Sequence, residues 1–382
     1  MKELIKKIYG RIFFTIFRIF PLQNKVVFVS YWGLDYGDNP KYISDGLLKK
    51  DNKIKQVWLN NSNREFSNVP KEIEVVKWGG LKMIYHLATA KVWVDSHTKP
   101  VWVKKRKKQF YIETWHGGLG MKKIESDMGE NLPKSTERQI KHNSKLTDVL
   151  ISNCTFLTNI YKRAFWYNGE ILECGYPKND ILFSSKEKLK EIKNKVQKAL
   201  NIDKDSKIIL YAPTFRDNQS VEVYDIDFER LIRAAEKRYN NNFVVLVRLH
   251  PRMRDLSENL KYTDKIINAT YYESMQELII ASDIFITDYS SGIFDFEIMR
   301  KPGFLYCKDL DAYEKQRGLY YDIRTLPFPF AANNDELEKN IINFDEKAYK
   351  EAVEINLKDF FGVKEKGTAT ETIVDLIISK LR

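Results

Sequence analysis

Apolar residues in the first half of the chain occur in short runs that alternate with stretches of helical spacing. The runs predict strands at residues 25–31, 54–60, 73–78, 91–97, 108–114, 148–153 and 171–175. Apolar residues that recur every three or four positions predict helices at 41–50, 81–90 and 156–166. Asn39 is expected to cap the first of these helices, with Pro40 at its first position. Strands that alternate with helices indicate a mainly parallel α/β sheet covered on both faces.

A second alternating series follows a polar helical stretch at residues 186–201. It has predicted strands at 207–212, 243–249, 283–287 and 304–307, and predicted helices at 228–239, 275–281 and 293–300. Further helices are predicted at 335–344, 347–360 and 370–380. Two such series predict two Rossmann-like domains, 21–185 and 186–345, that face a ligand-binding cleft. The helices of 346–382 are expected to pack back on the N-terminal domain.

Residues 1–20 have a separate pattern, in which isoleucines recur at helical spacing and basic residues lie mostly on the opposite side. Phe14 and Phe17 interrupt the polar side of this pattern. Basic amphipathic helices rich in Phe tend to lie in the membrane interface, so this segment is predicted to be a membrane-association helix. The alternative is a helix that packs on the body of the protein. No apolar segment reaches the roughly 20 residues that span a bilayer.

Composition limits the classes of function. A chain of 382 residues suits two domains, and a net charge of +11 favours a nucleic acid, an anionic lipid or a phosphorylated substrate. Its three cysteines are far apart, which favours a reducing cytosol over a disulfide framework. GxGxxG, Walker A, HExxH and paired CxxC patterns are absent from the sequence, so no nicotinamide, P-loop or zinc enzyme and no cofactor is expected. Asp225 and Asp227 have a DxD form, but they precede a helix and are expected to cap it.

The stretch 282–300 is a candidate phosphate site. A buried strand ends there in Asp288, Ser290 and Ser291, and Gly292 precedes an amphipathic helix. The backbone N–H groups at a helix start and the helix dipole suit an anion, often a phosphate. The alternative is an ordinary capped helix, since Asp and Ser are common N-caps.

Two histidines end predicted strands, one in each predicted domain. His116 follows a strand, precedes glycines, and is followed by Lys122 and Lys123. A histidine can remove a proton from a hydroxyl near neutral pH. His250 ends another strand, and Pro251 prevents that strand from continuing. The pair fits a shared cleft, although either histidine could be structural or an ordinary turn residue.

Further basic and hydroxyl groups follow other strands. Thr214 and Arg216 come after Pro213, where the chain leaves a strand, and they could bind phosphate. Arg317 and Gly318 lie among acids and tyrosines, so they could contact phosphate or form a surface ion pair.

Taken together and in this order, these motifs resemble the CDP-glycerol:poly(glycerophosphate) glycerophosphotransferase family of teichoic acid synthesis. The matching segments are 36–42, 115–117 with 122–123, 211–217, 249–251, 287–291 with 294–295, and 317–322. The resemblance implies a GT-B fold without a divalent metal. It also implies a CDP-polyol donor, CDP-glycerol first and CDP-ribitol as the alternative. The acceptor would be an undecaprenyl-linked glycan at the cytoplasmic face of the membrane, which the protein would contact peripherally.

The same resemblance implies roles for individual residues. His116 would be the general base on the acceptor hydroxyl, and His250 would contact the donor pyrophosphate and stabilise the CMP leaving group. The other donor-binding residues would be Thr214, Arg216, Asp288, Ser290, Ser291, Arg317 and Gly318. The acceptor-binding residues would be Asp38, Asn39, Lys41, Gly117, Lys122 and Lys123.

Two features depart from the family's usual pattern. Residues 118–120 are Gly-Leu-Gly where the family often has Thr-Pro-Leu, a difference that would alter the acceptor geometry that the resemblance implies. The chain is also short, which leans toward a priming or short-transfer enzyme. The competing hypotheses are a capsular polymer phosphotransferase, a GT-B glycosyltransferase that uses a sugar nucleotide, and a non-catalytic protein that binds membrane or nucleic acid. No aromatic-basic RNA motif supports a nucleic acid partner.

Overall fold

The computed structural model describes residues 2–216, 226–250, 253, 257–258 and 260–382, with side chains from residue 7 onward. Asp217, Asp225 and Pro251, which belong to the sequence motifs, lie outside the described residues. Two compact units can be distinguished. The first comprises Met1–Gly117, Ile124–Asp180 and Val363–Arg382, and the second comprises Gly118–Lys123 and Ile181–Gly362. The helix predicted at 347–360 therefore lies in the second unit, and the helix predicted at 370–380 lies in the first.

Within the described residues, the first unit contains a parallel sheet of seven strands in the order β3-β2-β1-β4-β5-β6-β7. The strands are β1 (Gln23–Val29), β2 (Lys55–Asn60), β3 (Glu74–Lys77), β4 (Ala90–Asp95), β5 (Phe110–Glu113), β6 (Val149–Ser152) and β7 (Glu170–Glu173). The strand order reverses between β1 and β4. At such a switch point, the loops after the strands diverge and leave room for a ligand.

Helices cover both faces of this sheet. They are α1 (Lys2–Phe17), α2 (Asp38–Lys50), α3 (Leu81–Thr89), α4 (Lys134–Leu146), α5 (Thr155–Ala164) and the C-terminal helix (Ala369–Leu381). Phe28 of β1 packs in a core cluster with α2 and the C-terminal helix. Its neighbour Val27 points to the opposite face and packs in a second cluster with α1 and α3. Burial on both faces explains why these strands have uninterrupted apolar runs instead of alternating ones.

The phenylalanines of α1 face the protein. Phe14 is 1% exposed, with its ring centroid 6.1 Å from that of Trp102. The ring centroid of Phe17 is 5.7 Å from that of Tyr85 in α3. The two residues that interrupt the polar side of the sequence pattern thus mark the face that packs on the body of the unit. No helix in the described part of the chain is both long and apolar enough to cross a membrane.

The second unit contains another parallel sheet, in the order β10-β9-β8-β11-β12-β13. Its strands are β8 (Lys207–Tyr211), β9 (Phe243–Val247), β10 (Ile266–Asn268), β11 (Ile284–Thr287), β12 (Gly303–Tyr306) and β13 (Phe330–Ala331). Its helices are α6 (Lys186–Ala199), α7 (Phe228–Tyr239), α8 (Met275–Ala281), α9 (Gly292–Glu297), α10 (Leu310–Arg317), α11 (Asn334–Ile342) and α12 (Glu346–Ile355). The order reverses between β8 and β11. The predicted α/β class with parallel sheets is confirmed.

Two local predictions were wrong or incomplete. Helix α2 begins at Asp38 with Gly37 as its N-cap, so Asn39 is not the cap and its side chain serves another purpose, described below. Helices α4 and α10 were not predicted. Each buries very few side chains, Ile140 and Asn143 in α4 and Tyr313 in α10, so neither has an apolar stripe that a sequence can reveal. Asp227 caps α7 as predicted, because its side chain accepts a hydrogen bond from the Arg230 N–H.

Candidate functional site

His116 lies in the loop after β5, next to the loop that follows the neighbouring strand β4. Its Nδ1 is 3.2 Å from the backbone carbonyl oxygen of Ser96. A carbonyl oxygen can only accept a hydrogen bond, so Nδ1 carries the proton and Nε2 is the basic nitrogen of the neutral ring. This tautomer is the one that a general base acting through Nε2 requires.

Aromatic rings pack around His116. The ring centroid of His116 lies 4.0 Å from that of His97, 4.3 Å from that of Trp115 and 5.8 Å from that of Tyr31. Trp32 stacks on His97 with ring centroids 3.6 Å apart. Tyr31, Trp32 and Trp115 all have positive φ angles, of 43°, 55° and 52°. A bulky residue in this left-handed region costs on the order of 1–3 kcal/mol, and such strain concentrates at functional sites.

A buried polar cluster lies beneath this loop. Glu113 ends β5, and its Oε2 accepts hydrogen bonds from the Tyr111 hydroxyl at 2.8 Å and the Asn143 amide at 3.0 Å. Lys99 and Asp95 form an ion pair in which both side chains are 2% exposed. Burial, and next the charge of Asp95, raises the pKa of Glu113 to about 7. The sequence carries a signal for this cluster, namely acidic residues at the ends of buried strands. Such residues must find partners inside the protein.

The predicted acceptor residues in the first unit have different surroundings. Asn39 is fully buried and its side chain bonds to backbone groups of the unit. Lys41 forms an ion pair with Asp45 at 2.6 Å, and both side chains remain partly exposed. Asp38 starts α2 with a φ of 55°. The carbonyl oxygen of Gly117 lies within hydrogen-bond distance of two buried tyrosine hydroxyls. Asn39 and Gly117 are therefore part of the framework around His116, while Lys41 and Asp38 lie at the start of α2.

Lys122 and Lys123 belong to the second unit. Their segment pairs with the chain after α10, since the Lys123 N–H donates to the Gly318 carbonyl at 3.1 Å and Lys122 forms an antiparallel bridge with Leu319. Burial lowers the pKa of Lys122 to about 8, an effect that Asp288 opposes and Arg317 reinforces. The structure thus brings Lys122 close to predicted donor residues.

Arg216 is held by carboxylates in the core of the second unit. Its guanidinium makes two hydrogen bonds to Asp309, at 2.9 and 3.0 Å, and an ion pair of 2.8 Å with Asp288. It also donates to the carbonyl of Thr214 at 2.7 Å. Burial lowers the pKa of Arg216, but the hydrogen bonds that it donates to Asp309 and the charge of Asp288 outweigh burial and raise the pKa above its ordinary value. In this structure the guanidinium therefore links the loops that follow β8, β11 and β12.

Asp288 joins the ends of β8 and β11, on either side of the switch point. Its Oδ1 accepts hydrogen bonds from the N–H groups of Thr214 at 2.7 Å and Tyr289 at 2.6 Å. Tyr289 stacks on Tyr313 of α10 with ring centroids 3.8 Å apart, and its hydroxyl donates to Asp309 at 2.9 Å. Sequence reasoning missed Asp309 and both tyrosines. The acids and tyrosines after β12 were visible as a group, but the pattern did not show their partners.

The remaining predicted donor residues lie in or next to the loops that follow β9, β11 and β12. Ser290 accepts a hydrogen bond from the Gly292 N–H at 3.3 Å, and Ser291 is the N-cap residue of the short helix α9. Arg317 ends α10, and Gly318 follows it with a φ of 69°. His250 is exposed in the loop after β9, with its ring centroid 5.7 Å from that of Phe215. The contacts of the described residues unite Thr214, Arg216 and Asp288 directly.

The sequence matches the protein family described as CDP-Glycerol:Poly(glycerophosphate) glycerophosphotransferase over residues 12–379. It is 33% identical over 365 residues to a teichoic acid poly(glycerol phosphate) polymerase of Staphylococcus epidermidis, covering 92% of this chain and 50% of that protein. It is 31% identical over 392 residues to a teichoic acid poly(glycerol phosphate) polymerase of Bacillus spizizenii, covering 99% and 98% of the two chains. This chain thus spans about half of the first relative and nearly all of the second.

A solved structure of the wall teichoic acid polymerase TagF, a variant soaked with CDPG, resembles the chain throughout its length. The TM-score is 0.84 at 28% sequence identity, and the match covers 97% of this chain and 94% of that one.

Proposed function

This chain belongs to the CDP-glycerol:poly(glycerophosphate) glycerophosphotransferase family, and on that premise we propose that it transfers a polyol phosphate from a CDP-polyol to an acceptor hydroxyl. Glycerol phosphate is the favoured unit, because both relatives described above are named for poly(glycerol phosphate). The observation that carries the proposal is the His116 ring, which the Ser96 carbonyl holds in the tautomer with a basic Nε2.

In the proposed reaction, the acceptor hydroxyl attacks the β-phosphorus of CDP-glycerol. Nε2 of His116 takes the hydroxyl proton, and the new bond joins the acceptor oxygen to that phosphorus. The bond from the β-phosphorus to the bridging oxygen breaks, and CMP leaves with the electron pair. Most of the catalysis in phosphoryl transfer comes from positioning and charge stabilisation, so basic groups near the donor are central to it.

The donor is assigned to the second unit. Lys122 is close enough to Asp288 and Arg317 to feel both charges, and Ser290 and Ser291 supply hydroxyls after the same strand as Asp288. His250 is proposed to contact the pyrophosphate and stabilise departing CMP. Arg216 is assigned an indirect part, because its guanidinium is occupied by Asp288 and Asp309. The GT-B arrangement and the domain boundaries predicted from the sequence are part of this proposal.

The test is an assay with separate donors. The full chain is incubated with CDP-glycerol or CDP-ribitol and a lipid-linked disaccharide acceptor, and CMP release and product mass are measured. CMP release from CDP-glycerol with a gain of one glycerol phosphate supports the proposal and a priming role. A ladder of masses indicates a polymerase, and release from CDP-ribitol alone makes the protein a ribitolphosphotransferase. No release from either donor contradicts the proposal and favours a sugar-nucleotide donor.

We also propose that α1 contacts an anionic membrane on which an undecaprenyl-linked acceptor is presented at the cytoplasmic face. While the phenylalanines face the unit, Ile8, Ile12 and Ile16 are 52%, 52% and 46% exposed along the outer face. The basic loop 104–108 is attached to the end of this helix, because Arg106 donates to the Phe20 carbonyl at 2.7 Å. An apolar stripe beside basic residues suits the interface of an anionic bilayer.

Replacing both Ile12 and Ile16 with glutamate is expected to weaken binding to phosphatidylglycerol-containing vesicles at least about 10-fold, because each buried CH₂ contributes about 0.8 kcal/mol to membrane binding. Vesicle co-sedimentation measures the effect. Ile355→Glu is the matched control, since Ile355 is 61% exposed on the second unit and its replacement should leave binding unchanged. Equal binding of the double variant and the wild type would rule out this face as the contact.

A further inference from the structure

The backbone of Trp115, next to His116, has a conformation that its own side chain disfavours. Its φ of 52° lies in the left-handed region, where a bulky residue is strained. Such a conformation persists only when the surrounding structure holds it. Because Trp115 and His116 share a peptide bond, the direction of the imidazole depends on this conformation.

Glu113 holds the amino side of Trp115. Its Oε1 accepts a hydrogen bond from the Trp115 N–H at 3.0 Å, two residues along the chain. Its other oxygen is held by Tyr111 and Asn143, and the side chain is nearly inaccessible to solvent. Hydrogen bonds at both oxygens fix the position of the carboxyl group. The carboxyl group in turn fixes the direction of the Trp115 N–H.

Asn39 holds the carbonyl side of the same residue. Its Nδ2 donates to the Trp115 carbonyl at 3.3 Å, and its Oδ1 accepts from the Lys178 N–H at 3.2 Å. The Thr114 hydroxyl donates to the Trp115 carbonyl as well, at 3.0 Å. Asn39 therefore anchors the strained carbonyl to a backbone group that is far away in the sequence.

The residue after His116 is held in the same way. The carbonyl oxygen of Gly117 lies 3.2 Å from the hydroxyl of Tyr161 and 3.1 Å from that of Tyr176, and the two hydroxyls are 2.7 Å apart. Each hydroxyl has one hydrogen, so one tyrosine donates to the carbonyl and the other donates to its neighbour's oxygen. His116 thus lies between two fixed peptide groups, and on the Trp115 side the fixation comes from Glu113 and Asn39.

We propose that Glu113 and Asn39 are positioning residues, which hold Trp115 in its left-handed conformation and thereby keep His116 Nδ1 on the Ser96 carbonyl. The proposal rests on the proposed function only for its effect on turnover. Both side chains are buried, so neither is assigned a contact with the substrate. Asn39 is thereby moved from the acceptor-binding group to the framework of the base.

Glu113→Ala is expected to lower kcat about 100-fold, because displacing a reacting group by about 1 Å can reduce the rate by that factor. The KM for CDP-glycerol should change less than about threefold, since the donor is assigned to the other unit. Glu113→Gln should recover kcat to within about tenfold of wild type, because its amide oxygen can accept the Trp115 N–H, although its amide nitrogen cannot accept from Tyr111 and Asn143. The raised pKa of Glu113 supports this rescue, since an acid with a pKa of about 7 is already neutral in part near neutral pH.

Gln109→Ala is the matched control for a general loss of stability. Gln109 is 3% exposed at the opposite end of β5, and its amide donates to the carbonyls of Leu87 and Ala90. Its loss should lower the melting temperature but leave kcat within about twofold of wild type, because no contact of residues 114–117 changes. Asn39→Asp tests the other side, since it keeps the acceptor for Lys178 but removes the donor to the Trp115 carbonyl. It should lower kcat about 10-fold.

A readout that does not require turnover completes the test. NMR of isotope-labelled histidine should show wild-type His116 as a single Nδ1–H tautomer, with the signal assigned by its disappearance in His116→Asn. Glu113→Ala and Asn39→Asp should shift or average this signal, whereas Gln109→Ala should leave it unchanged. An unchanged signal in both variants overturns the proposal. A wild type that releases no CMP contradicts the proposed function instead, and the NMR result still decides the inference.

Discussion

His116→Asn is expected to lower the rate of CMP release about 1,000-fold, because general-base catalysis by a positioned side chain contributes roughly 100- to 10,000-fold. Asparagine is the sharpest replacement here. Its Nδ2 can take the place of the imidazole Nδ1 and donate to the Ser96 carbonyl, so the loop keeps its contact. What the variant lacks is a basic atom at the position of Nε2. Steady-state release of CMP from CDP-glycerol with saturating acceptor measures the effect.

His142→Gln is the control for this substitution. His142 is also half-buried and is also held by a backbone carbonyl, since its Nε2 is 3.0 Å from the oxygen of Val103. A glutamine amide can keep that contact, and His142 lies in α4, so turnover should stay at the wild-type level. Turnover of His116→Asn within about threefold of wild type would refute the general-base assignment, because removal of an essential base costs far more.

The parallel sheets could be predicted from the sequence because burial on both faces leaves an unambiguous signal. Strands such as β1 and β9 have continuous apolar runs, and residues 248–250 and 114–116 visibly follow strands. The same approach found α7 with its bounds unchanged at Phe228–Tyr239. It failed for α4 and α10, whose exposed surfaces carry almost no apolar pattern.

Residue roles were harder to predict than positions. Asn39 looked like a helix cap, but the chain enters α2 through Gly37, and the freed side chain reaches Trp115, which is 76 residues away in the sequence. Lys122 is six positions from His116 and was grouped with it, yet its segment pairs with the backbone after α10. Both assignments depend on pairings between distant segments, which local spacing does not encode.

The assignment of Arg216 illustrates a related limit. An arginine after a strand is equally suited to a phosphate and to carboxylates, because the guanidinium fork matches both. Only the positions of Asp288 and Asp309 distinguish the two roles, and they follow the different strands β11 and β12. The motif therefore predicted a role in phosphate binding but did not show which group would hold the arginine.

Arg216→Leu is expected to destabilise the second unit by about 3–5 kcal/mol, because removal of one partner leaves buried carboxylates without compensation. The side chains of Arg216 and Asp288 are 7% and 5% exposed, so water cannot replace the lost charge. Arg216→Lys should fall between leucine and wild type, since an ammonium cannot make the paired hydrogen bonds to Asp309 and also reach Thr214. Urea denaturation followed by far-ultraviolet circular dichroism measures the loss, since all seven tryptophans lie in the first unit.

Arg230→Leu is the control, because it also removes an arginine that is paired with two carboxylates in the second unit. Arg230 bonds to Asp335 and Glu338, but the side chain of Asp335 is 83% exposed, so water can solvate the carboxylate that remains. Its urea midpoint should move far less than that of Arg216→Leu. If the contacts of Arg216 shape the donor region, Arg216→Lys should also raise the KM for CDP-glycerol under conditions where the variant is fully folded. The reason is that Asp288 then holds Thr214 less firmly. Equal urea midpoints for the two leucine variants would show that the stability of the unit does not depend on the pairing of Arg216 with Asp288 and Asp309. The guanidinium would then be assigned to the donor phosphates.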